Sequence, residues 1–109
     1  MISHEWLASL TDRERAVIGE CLRAAAEGPF FDDAEFGALF GLERGEVERV
    51  AARWPDVGPG DETARLAVNN ALVNLAGYPH GREREWARWI SADAGEVTAI
   101  AERLRLAIS

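Results

Sequence analysis

A chain of 109 residues and 12.0 kDa, 48% of it apolar, is long enough to close one core without a metal or disulfide staple, so a single domain over residues 1–109 is expected. Nineteen acidic residues against twelve arginines, with no lysine, give a formal charge of -7, which disfavours a polyanionic partner such as nucleic acid and suits a basic protein. The start, Met1 to Trp6, lacks a basic region followed by an apolar run, and no stretch reaches the length of a membrane span; a cytoplasmic protein without a leader or membrane anchor is expected.

Apolar residues recur at helical spacing and alternating strand patterns are absent, which predicts an all-α chain, a compact bundle of about six helices with short links. Trp6 and Leu7 belong to a short first helix. Thr11 and Glu14 stand at capping-box spacing and open a helix carrying Val17, Ile18, Cys21, Leu22 and Ala25, closed by Gly28 and Pro29. The lone Cys21 shares that apolar face and reads as a buried hydrophobe. Asp32 and Glu35 cap the next helix, which buries Phe36, Leu39 and Phe40 and ends at Gly41. A helix from Glu43 to Trp54 turns Val47, Val50, Ala51 and Trp54 inward before Pro55 stops it.

Asp56 to Gly60 forms the one Gly/Pro-rich loop, too short to join two domains, and Asp61 caps the helix that follows. Gly77 is expected to end that helix in the left-handed conformation, with Tyr78 and Pro79 after it. A helix with Trp86, Trp89 and Ile90 begins around Gly81, and Asp93 with Glu96 opens a last one bearing Val97, Ile100, Ala101 and Leu104.

Residues 33–50 match a helix-turn-helix corner: apolar Phe36 and Phe40, small Gly37, the turn residue Gly41, then Leu42, Val47 and Val50. The chemistry of a DNA reader does not accompany that geometry. The second helix offers Glu43, Arg44, Gly45, Glu46, Glu48 and Arg49, so three carboxylates would meet the phosphates. A structural corner is the favoured reading, and a transcription regulator the third-ranked one.

The side-chain amides are the most unusual feature. Asn69, Asn70 and Asn74 are the only asparagines, there is no glutamine, and all three sit among Leu66, Val68, Leu72, Val73 and Leu75. Asn competes with the backbone inside a helix, so amides concentrated in an apolar helix imply partners that need them. On one reading Asn70 and Asn74, one turn apart, bond the main chain of residues 28–30 or 58–60. On the other they join Tyr78 and His80 in a pocket walled by Trp86 and Trp89, a small-molecule or catalytic site.

Other chemistry is thinner. His80 with Glu83 is a single metal-ligand pair with nothing to complete a shell, and no phosphate loop or ordered catalytic triad is visible, so no metal and no cofactor are expected. An enzyme would have no evident base or nucleophile beyond His80. Arginines and acids alternate from Arg82 to Arg88, as on a salt-bridged helix face whose tryptophans turn inward.

Through Phe30-Phe31, the 33–43 segment and the run from Asn69 to Gly81, the chain resembles small all-helical proteins of unassigned function from high-GC actinobacteria. That resemblance implies only that the amide helix and the 78–81 loop form a shared feature. The leading expectation is a non-enzymatic domain that binds a basic protein, as an inhibitor or immunity-type protein does, through an acidic face of Glu43, Glu46 and Glu48 with Asp56 and Asp61. Self-association is left open.

Overall fold

The elements follow from local capping chemistry. The computed structural model describes residues 6–58 and 60–104. Helix α1 (Asp12–Glu27) opens on a complete capping box, Thr11 accepting from the Glu14 N–H and Glu14 accepting from the Thr11 N–H. Helix α2 (Asp33–Phe40) ends at Gly41, whose φ of 66° is the left-handed turn that a glycine adopts without strain. Helix α3 (Arg44–Arg53) follows immediately, and a cis Trp54–Pro55 peptide leads away from it. Asp61 accepts from the Ala64 N–H to start α4 (Glu62–Gly77). A single 3-10 turn (Glu83–Glu85) runs into the four-residue α5 (Trp86–Trp89), and Asp93 accepts from the Glu96 N–H at the start of α6 (Ala94–Leu104).

The protein is therefore all-α, with six helices among the described residues and a Cα radius of gyration of 12.6 Å. Helix α4 is the spine: Ala64, Ala67, Val68, Ala71, Leu72 and Leu75 are buried, and it touches α1, α2, α3 and α6. Helix α1 packs mainly on α3 and α4 through Val17, Ile18, Cys21, Leu22 and three alanines. No described helix is long and apolar enough to cross a membrane.

Two pairings tie α6 back to the start of α1. Arg103 grips Glu14 with two N–H groups, and Arg13 does the same to Glu96 at 3.0 and 3.2 Å. These guanidinium contacts hold both carboxyls below the ordinary glutamate range. Ser91 joins the same seam, giving its N–H and hydroxyl to Glu20.

Three expectations need correction. Trp6 to Ser9 form a turn rather than a helix, because a short segment gains too few internal bonds to offset nucleation; residues 1–5, including the stretch used to judge a leader, lie outside the described residues. Gly77 remains helical, and Tyr78, with φ of -79°, leaves in an extended conformation, so no left-handed residue ends α4. Asp32 occupies the N-cap position of α2 without a side-chain capping bond, and only its carbonyl serves the first turn.

Arg44 is the residue whose structural role sequence reasoning missed. Its guanidinium donates to the Ala25 and Ala26 carbonyls at 3.3 and 3.1 Å and to the Phe31 carbonyl at 2.7 Å; it also pairs with Asp33 at 2.9 Å and lies 4.5 Å from the Phe36 ring centroid. Helix α1 has no basic residue in its own last turn, so Arg44 supplies the positive charge and donors that its C-terminus lacks. Replacing Arg44 with Met is expected to destabilise the fold by about 2–3 kcal/mol in urea denaturation, with Arg44→Lys recovering less than half, since an ammonium cannot span three carbonyls as a planar fork does.

Candidate functional site

The amide cluster faces the end of α2. A helix leaves its last carbonyls without an N–H donor of its own, and here α4 supplies them: Asn70 Nδ2 donates to the Phe40 carbonyl at 2.7 Å, and Asn74 Nδ2 to the Leu39 carbonyl at 3.1 Å. Asn74 Nδ2 also donates to the Asn70 carbonyl one turn back on α4, at 2.9 Å. Asn69, 8% exposed, donates to Asn70 Oδ1 at 3.0 Å and thereby fixes which way the Asn70 amide points. The loops at 28–30 and 58–60 are not the partners; Pro59 itself lies outside the described residues. The reason is positional, because the helix-turn-helix corner sets the last turn of α2 directly beside α4.

Beyond Tyr78 the chain turns through Gly81, φ 71°, and brings His80 back against α4. His80 Nε2 lies 3.1 Å from the Leu75 carbonyl, and Nδ1 lies 3.0 Å from the Arg82 amide nitrogen. A carbonyl only accepts and an amide N–H only donates, so the proton sits on Nε2 and both ring nitrogens are engaged. The ring packs edge-on to Phe30 at 4.9 Å and Phe31 at 6.3 Å, and stacks with Trp86 at 6.3 Å between centroids. Trp86 is fixed in turn by a 2.7 Å bond from its indole N–H to the Ala92 carbonyl. Tyr78 donates its hydroxyl to Glu35, which serves this contact in place of the capping role expected of it.

These residues border a groove of about 330 Å³ between the end of α4, α5 and the start of α6. Tyr78, His80 and Trp86 line it together with Leu75, Glu83 and Asp93. Asn70, Asn74 and Trp89 do not, so the structure separates the amides from the loop residues with which the sequence grouped them. Glu83 and Asp93 give the groove two carboxylates, and no arginine is among its lining residues. Asp93 is legible in sequence only as a helix cap, which it also is.

The acidic residues of the corner do not gather into one patch. Glu46 turns back to accept the Glu43 N–H, and Asp61 caps α4 while pairing with Arg53 at 3.4 Å. Glu46 and Glu48, two residues apart on α3, point roughly 160° apart around its axis. Arg44 is committed to α1, so the corner has lost the cation that opens its second helix. Cys21 is fully buried, which pushes its thiol well above the usual range and leaves it a packing residue. Among the described residues, no three of His, Cys, Asp and Glu converge as a metal ion would require.

Fold and site together define an all-α domain with an aromatic, carboxylate-lined groove beside its central helix. No family model matches the chain, and no curated protein or solved structure shows significant similarity to it.

Two consequences are measurable. Asn70→Leu strands the Phe40 carbonyl and is expected to cost about 1–3 kcal/mol in chemical denaturation. Asn70→Asp is expected to cost more, since a carboxylate then faces that carbonyl. The hydrogen bond to Glu35, then burial and the nearby negative charges of Glu35 and Asp32, raise the Tyr78 phenol above its ordinary range. Folding stability from this contact is thus complete below about pH 10 and is lost as pH rises through the higher folded value. Tyr78 is the only tyrosine, so ultraviolet titration of the tyrosinate reads it directly; Glu35→Ala should move the transition down, and an unmoved transition contradicts the contact.

Proposed function

We propose that this protein is a non-catalytic helical binding domain that docks onto a basic protein in the cytoplasm, as an acidic inhibitor or immunity-type protein does. The observation that carries this reading is the destination of its charges. Among the described residues seven arginines are engaged in ion pairs and Arg23, Arg49, Arg84 and Arg88 stand exposed, against the exposed acids Glu27, Asp32, Glu43, Glu48, Asp56 and Glu83 and a formal charge of -7 for the chain. The surplus of negative charge therefore faces solvent, where it steers and orients a cationic partner. His80 has both nitrogens engaged and Cys21 is sealed in the core, which supports binding over catalysis. A small-molecule site at Tyr78, His80 and Trp86 is the second reading, and the groove favours it. A DNA-binding role for the corner is weakened by the commitment of Arg44 to α1.

The test is cross-linking in the native host, followed by reconstitution of the complex from purified components. The expected partner has a pI above about 8, with an affinity that falls at least about tenfold between about 50 and 500 mM salt. An acidic partner, or affinity indifferent to salt, overturns the proposal.

A further inference from the structure

The groove beside α4 has a chemistry more specific than the surface charge, and resting on the binding reading above, the geometry points to it as the seat of an arginine side chain presented by the basic partner. Its volume of about 330 Å³ is that of a small ligand pocket, ample for a single long side chain. The wall is half-buried Trp86, with Tyr78 and Leu75 beside it, and the polar groups at its edge are the carboxylates of Glu83 and Asp93. A guanidinium is planar and weakly hydrated, packs on aromatic surfaces and pairs with carboxylates, so each part of the lining has a counterpart on it. The aliphatic stem of the arginine would lie along the apolar wall.

Two of the charged groups nearby have partners of their own. Asp93 accepts the Glu96 N–H through Oδ1 and so offsets the positive end of the α6 dipole. Arg82, in the adjoining turn, lies 4.0 Å from Glu85. Trp86 is held by Ala92, Phe30 and His80, so the aromatic wall is built before any partner arrives. His80 acts here as a positioning residue, tying the 78–82 loop to the Leu75 carbonyl.

The experiment titrates the 15N-labelled protein with three capped tripeptides, Gly-Arg-Gly and its citrulline and lysine counterparts, and follows the amide spectrum. Saturable shifts are expected at the Trp86 indole and at the Ala87 and Ala94 amides with the arginine peptide, weaker ones with lysine and none with citrulline, which keeps the shape and loses the charge. The double variant Glu83→Gln, Asp93→Asn keeps the α6 cap, since Asn caps as Asp does, and is expected to weaken arginine binding about tenfold. Shifts spread over the surface without saturation, equal binding of citrulline, lysine binding as tight as arginine, or an indifferent double variant would each overturn the assignment. These readouts need no partner in hand. If a basic protein does bind and the double variant binds it equally well, the groove assignment fails while the binding reading stands.

Discussion

Helix C-termini need donors, and in this protein three of them draw those donors from side chains remote or newly turned back in the chain. The last carbonyls of α1 are met by Arg44, those of α2 by Asn70 and Asn74, and the Leu75 carbonyl of α4 by His80. Each bond spans two elements, so the same contact that satisfies one helix also fixes where the next one lies. Arg44 sets the corner against α1, the asparagines set it against α4, and His80 folds the following loop onto the spine. Hydrophobic burial supplies the compaction, but apolar contacts are non-directional; these polar contacts decide which helix end meets which neighbour.

Aromatic packing continues the same path. Phe36 and Phe40 stack at 4.2 Å, Phe31 meets both, and Phe30 and Phe31 reach His80, which stacks on Trp86. The corner and the groove are thus the two ends of one chain of rings. Tyr78 closes a second connection by reaching Glu35 on α2 while lining the groove. The groove's aromatic wall is thus tied by its own contacts to the corner, with Glu83 and Asp93 also among its lining residues.

What was legible in the sequence is what is local. Thr11 with Glu14, Asp61, and Asp93 with Glu96 act within three residues of themselves, so their spacing alone places three helix starts. Gly41 is legible for the same reason, as a short-range demand for a positive φ. The asparagines announce themselves by being costly where they stand, yet their partners lie 30 and 35 residues away and no spacing rule reaches that far. Arg44 reads as one more exposed arginine of α3 until α1 is set beside it. Gly77 and Asp32 show the converse: the residue type suits a cap, and tertiary contacts at Tyr78 and Glu35 decide the outcome. Of the candidate site, Tyr78, His80 and Trp86 were visible as a group because a tight loop joins them, whereas the meeting of Glu83 with Asp93 required the fold.

The seam between α1 and α6 bears on how the molecule is made. Glu14 and Arg103 are 89 residues apart, as Arg13 and Glu96 are 83 apart. During synthesis a ribosome must deliver the chain as far as α6 before either clasp can snap shut, and the loop-closure entropy of such a span is compensated only once the intervening helices have collapsed. In the opening turn of α1, Asp12 finds its counterion locally in Arg15, whereas Arg13 and Glu14 wait for theirs until α6 has been made.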